Sequence, residues 1–121
     1  MNKKFSITGR IKSVGYALEG LVVFFKTQHN AWIHLVGAAI TIAAGFYFHL
    51  GKTDWGMIII AITLVFVTEM FNTAIEFLCD VVSPQIHPGI KKVKDVSAAA
   101  VLIAAIAAIA IGIIVFLPRI C

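Results

Sequence analysis

An all-α membrane protein, with three spanning helices and an N-terminal surface helix, is predicted by three observations. The 121-residue chain is 60% hydrophobic and 13% charged, where an average soluble domain is about 25% charged. Its apolar residues gather into three stretches, each long enough for the roughly 20 residues that a spanning helix needs. The segment ahead of them has helical periodicity but too many charges to span. A chain of this length forms one domain, residues 1–121, and no soluble core of that size needs three such stretches.

The surface helix covers about 6–28. Ile7, Ile11, Val14, Leu18, Leu21, Val22 and Phe25 recur at helical spacing, and Lys12, Glu19 and Lys26 share a more polar side. Such a segment lies in the headgroup plane, and Gly15 and Gly20 allow close packing against another helix. Glu19 is read as a solvated charge. The first span, about 31–50, has no Lys, Arg, Asp or Glu. It starts too late, and lacks the small-residue site, for a removed signal peptide. His34 within it is read as a packed or amide-bonded core histidine, and Trp32 and Trp55 as interfacial anchors.

Gly51-Lys-Thr-Asp54 turns the chain into a second span, about 55–82. This stretch exceeds the hydrocarbon thickness, so its Asp80 end projects into the headgroup layer. A loop over 83–95 follows, in which Pro84 and Pro88-Gly89 break the helix. The third span, about 96–117, is dense in Ala and Gly, a composition that suits close helix packing in an oligomer. Cys79 and Cys121 fall at opposite ends and cannot pair within one chain; both are read as structural.

Basic residues set the orientation. Of the ten Lys and Arg, Lys3, Lys4, Arg10, Lys12 and Lys26 precede the first span, and Lys91, Lys92 and Lys94 lie between the second and third. Only Lys52 and Arg119 occupy the other side, so the N-terminus and the 83–95 loop are expected in the cytoplasm. The net charge of +4 calls for no nucleic acid, because anionic headgroups attract the same side chains.

The second span carries the chemistry. At about 100° per residue, Asn72, Glu76 and Asp80 fall roughly 60°, 20° and 20° around the helix from Glu69. A carboxylate in the bilayer costs at least a few kcal/mol, so such a row rarely persists without a cation, proton or polar substrate. Carboxylates beside Lys91, Lys92, Lys94, Asp95 and His87 could hold a polyphosphate through a hard cation. A deeper Glu69 could take a proton from a lipid hydroxyl, with Asn72 orienting either partner. No Gly-rich phosphate loop is present. On residue chemistry the row admits phosphoryl transfer to a lipid alcohol, proton- or cation-coupled transport, or a structural role with the acids paired to lysines or amides.

Glu69-Met-Phe-Asn-Thr-Ala-Ile-Glu76, then Asp80, His87 and Lys94-Asp-Val-Ser-Ala-Ala-Ala-Val101, resemble the prokaryotic diacylglycerol kinase family, which includes the undecaprenol kinases of Gram-positive bacteria. The resemblance covers nearly the whole chain. It implies a multi-pass enzyme of the bacterial cytoplasmic membrane that uses ATP with Mg²⁺ to phosphorylate a lipid alcohol. It also implies a homotrimer with sites shared between neighbouring subunits. Glu69 matches the general base and, with Ala98, a position at the lipid. Glu76 matches a carboxylate that contacts metal and nucleotide, and Asn72 and Asp80 match supporting polar positions. Lys94, Asp95, Gln85, His87 and Tyr16 match nucleotide-binding positions. Arg10 lies near a basic one, displaced by one or two residues. His87, between two prolines, can alternatively be a plain turn residue. The stretch from Ile86 to Lys92 is closer to the undecaprenol kinase branch.

One position departs from the pattern. Where the family carries a second metal-binding Glu at the end of the surface helix, this chain has Gln28, followed by His29. An amide oxygen can ligate Mg²⁺ but adds no charge, so the departure implies altered metal demand, or a catalytically degenerate member.

Overall fold

The computed structural model describes residues 4–85 and 87–121; Lys3 and Ile86, both used above, lie outside them. The described residues form four helices: α1 (Ile7–Thr27), α2 (His29–Tyr47), α3 (Lys52–Val82) and α4 (Pro88–Ile120). Ser6 starts α1 by accepting a hydrogen bond from the Gly9 N–H at 3.2 Å, the expected use of a serine at that position. Gln28 alone separates α1 from α2. Its extended backbone (φ −116°, ψ 111°) ends one helix and begins the next, and its side chain makes no capping bond.

α3 and α4 pack as a long antiparallel hairpin, pinned at one end by Arg119 on Asp54 (3.2 Å) and near the loop by Lys94 on Asp80 (3.2 Å). α2 runs antiparallel along α3. A cluster of Leu50, Ile58 and Val115, with Trp55, Ile62 and Phe116 against it, fills the end remote from the loop. There Gly45 approaches the Trp55 indole so closely that a Cβ would meet it at 2.6 Å. Trp55, expected as an interfacial anchor, also packs between α2 and α3, tilted against the Phe46 ring.

α2, α3 and α4 are each long and apolar enough to cross a membrane. Their large apolar side chains mostly face outwards: Ile59, Ile60, Leu102, Ile103, Ile106 and Ile109 are all exposed. That distribution suits lipid as the surrounding medium and not water. α1 also leaves Ile7, Ile11, Val14 and Leu18 uncovered by the rest of the chain.

Two boundaries differ from the sequence expectation. α4 begins at Pro88, so Lys91, Lys92, Lys94 and Asp95 are helical and the connection is only residues 83–87. Pro88 takes the first helical position, where its missing N–H costs nothing, and the His87 ring accepts from the Gly89 N–H at 2.9 Å. Pro-Gly here starts a helix. Between α2 and α3 the turn is residues 48–51, with His49 at φ 53°. That left-handed residue stops α2, and Asp54 joins the first turn of α3, where an acid suits the helix dipole.

Candidate active site

α3 carries a ladder of polar groups, and most of its rungs find a partner on a neighbouring helix. Glu69 is the deepest and is buried, with 7% of its surface exposed. Its Oε1 lies 2.8 Å from Nε2 of His34 on α2. One turn on, the Thr73 hydroxyl donates to the Glu69 backbone carbonyl at 3.0 Å. The Asn72 amide reaches in two directions: its Oδ1 accepts from the Ser97 hydroxyl of α4 at 2.8 Å, and its Nδ2 donates to Glu76 Oε1 at 3.4 Å. Glu76 is half-buried and that one contact is long, so its carboxylate keeps most of its acceptor capacity.

Above Glu76, the loop end is open and charged. Asp80, Ser83, Pro84, Gln85, His87, Ile90, Lys91 and Lys94 line a pocket of about 210 Å³. Lys94 leans on Asp80, and Lys91 pairs with Asp95 at 2.6 Å. Both pairs are largely exposed, so each contributes at most about 1 kcal/mol to stability and can be exchanged for a ligand. Lys91, Lys92 and Lys94 stand in the first two turns of α4, where the helix dipole adds further positive potential. This concentrates attraction for anions beside the pocket. His87 uses Nδ1 to cap α4, so the proton of its neutral ring sits on Nε2 and is offered outwards.

On the deeper side of Glu69 the lining turns apolar. A groove of about 430 Å³ starts at Ile33 and His34 and runs past Gly37, Ala38, Ile58, Ala61, Ile62, Ala108 and Gly112. A charged pocket, a polar ladder and an apolar groove thus follow one another along α3.

Residues 15–116 match the prokaryotic diacylglycerol kinase family. The chain belongs to that family. The undecaprenol kinase of Bacillus subtilis (strain 168) is 33% identical over 108 residues, covering 89% of this chain and 88% of its own. A diacylglycerol kinase of Synechocystis sp. is 36% identical over 107 residues, 88% of this chain and 61% of that longer one. The diacylglycerol kinase of Escherichia coli (strain K12) is 30% identical over 108 residues, 89% and 88% of the two chains. As a member of the prokaryotic diacylglycerol kinase family, the protein is a lipid kinase by class.

Within the single chain, the prokaryotic diacylglycerol kinase fold brings Asp80, Gln85, His87 and Lys94 to a single pocket and strings Asn72, Glu76 and Glu69 beneath it. Asp95 stands one turn along α4, paired with Lys91. Tyr16 and Arg10 stay on α1, exposed and away from the pocket, with Arg10 over the Phe5 ring at 5.5 Å. Gln28 lies at the α1–α2 joint. Ala98 is exposed on α4, next to the Ser97 that holds Asn72. Sequence reasoning missed the partners His34 and Ser97. A signal for His34 existed, since an ionisable side chain inside an uncharged span is by default a functional candidate. His34, expected as a packed or amide-bonded core residue, is packed against Phe66, and its polar partner is the Glu69 carboxylate and not an amide.

Proposed function

We propose that the protein transfers the γ-phosphoryl group of ATP to the hydroxyl of a membrane lipid, undecaprenol or diacylglycerol, at the cytoplasmic face of the bacterial inner membrane. The observation that carries this is the sequence along α3, in which a buried carboxylate lies between a cationic pocket and an apolar groove. If the hydrocarbon begins near Trp55, about 20 residues of helix bring its far boundary close to Ile75. Glu76, Asp80 and the loop then stand among the headgroups, and Glu69 about 10 Å below Glu76 at 1.5 Å per residue.

In this reading the nucleotide lies at the loop pocket with Lys94, Asp95, Gln85 and His87, and Lys94 exchanges Asp80 for phosphate oxygen. Asn72 and Asp80 support the site. The lipid hydroxyl, with Ala98 beside its path, reaches Glu69, which accepts its proton as the oxygen forms a bond to the γ-phosphorus. The bond to the bridging oxygen breaks, ADP leaves, and Glu69 returns its proton to solvent. Glu76 is the residue to hold Mg²⁺, with Gln28 in second place. Among the described residues no three His, Cys, Asp or Glu side chains form a closed cage. A site of one carboxylate completed by phosphates and water is the arrangement Mg²⁺ commonly takes. When bound, the ion neutralises charge on the transferring phosphoryl group.

Tyr16 and Arg10 would reach a nucleotide from a neighbouring subunit, and the uncovered apolar stripe of α1 and small-residue face of α4 support a homotrimer. The positive-inside count supports a cytoplasmic N-terminus and 83–87 loop. The test is to offer γ-labelled ATP with Mg²⁺ to the detergent-purified protein together with undecaprenol and diacylglycerol in parallel. Label in one lipid establishes the reaction and names its acceptor. ATP-independent substrate or cation flux in vesicles, with no labelled lipid, would favour a transporter and sink the proposal.

A further inference from the structure

The proposed reaction leaves one intramembrane titratable group without a task, and that group touches the base. We infer that His34 is a positioning residue: its Nε2–H holds Oε1 of Glu69 so that Oε2 faces the lipid hydroxyl. The inference rests on the reading of Glu69 as the general base.

Three observations support it. A contact of 2.8 Å between Nε2 and Oε1 requires a proton between them, and an ionised carboxylate can only accept. The imidazole therefore donates whenever Glu69 is ready to act as a base. Next, the ring is backed on one side by an aromatic chain. It meets Phe66 edge-on at 6.3 Å, Phe66 lies 6.3 Å from Phe25, and Phe25 meets Trp32 at 5.3 Å. Trp32 closes this chain by donating its indole N–H to the Phe25 carbonyl at 2.8 Å. Finally, among the described residues no other side chain bonds the Glu69 carboxylate, so His34 alone fixes by hydrogen bonding which oxygen is held. His34 also lines one end of the apolar groove, so the residue that holds the carboxylate borders the apolar space a lipid would occupy.

The test compares two amides at this position in the full-length protein, with steady-state kinetics for ATP and the lipid acceptor. In His34→Gln the terminal NH₂ falls near the place of Nε2 and can still donate to Oε1. In His34→Asn it falls one methylene short. His34→Gln should keep kcat within about tenfold of wild type while His34→Asn loses about 100-fold, the scale of an ångström-level misplacement. The KM for ATP should stay within about twofold in both, because the nucleotide pocket lies elsewhere on α3. Equal kcat in the two variants, or a loss in His34→Asn that appears in the KM for ATP, would overturn the positioning role. Glu69→Gln, run alongside, separates the two claims. Retained turnover there removes Glu69 as the base and the proposed mechanism with it. A silent Glu69→Gln beside an unimpaired His34→Asn removes only the role given to His34.

Discussion

At the scale of single residues, the deeper polar groups of the site, Glu69 and Asn72, each need a partner, because an unsatisfied one costs several kcal/mol in hydrocarbon. The face shared by Glu69, Asn72, Glu76 and Asp80 was legible from helical period. The identity of their partners was not: His34 and Ser97 are 35 and 25 residues away along the chain, and only the register of helix on helix brings them together. Gln28 is the residue where chemistry and family pattern disagree. Its side chain makes no capping bond and sits at the positive end of α2, so a carboxylate is tolerated there and even favoured by the helix dipole. Gln28→Glu should therefore fold normally and lower the Mg²⁺ concentration for half-maximal activity by about tenfold, through the added ligand charge. A Mg²⁺ titration that superimposes on wild type would remove Gln28 from the metal site.

At the scale of elements, α3 and α4 supply the rigid pair and α2 supplies the clamp on Glu69. Existence and order of these helices followed from apolar length. Their ends did not, because Pro88 and His49 act through backbone geometry that composition does not report: proline suits a first turn as well as a break, and a left-handed residue need not be glycine. The α2–α3 contact also depends on a position with no side chain. Since a Cβ on Gly45 would press into the indole of Trp55, Gly45→Ala should destabilise the protein by about 1–3 kcal/mol, an overpacking cost. The midpoint of thermal unfolding in detergent reads this directly, and an unchanged midpoint would show that Trp55 can move aside freely.

At the scale of the whole molecule, the chain leaves broad apolar surfaces uncovered. The stripe of α1 and the outward face of α4 are uncovered, and Tyr16 and Arg10 stand apart from the pocket. The class of protein was legible because a bilayer imposes length and apolarity so strictly. Which apolar faces meet lipid and which meet protein was not, since the two have the same composition.

The hairpin also measures the medium it sits in. Asp54 and Asp80 are bonded across to α4 at its two ends and, being 26 residues apart on one helix, are separated by about 39 Å. Two charged jaws on a stiff shaft make a caliper close to the 40–45 Å of a bilayer with its headgroup layers. Because Glu69 is fixed on the shaft, a membrane thinner or thicker than the gap must tilt the hairpin or deform around it, and so changes the depth of the carboxylate in the bilayer. Turnover in vesicles of graded acyl length should accordingly peak at one thickness and fall on either side. A flat profile would mean that the shaft does not set the depth of the reaction.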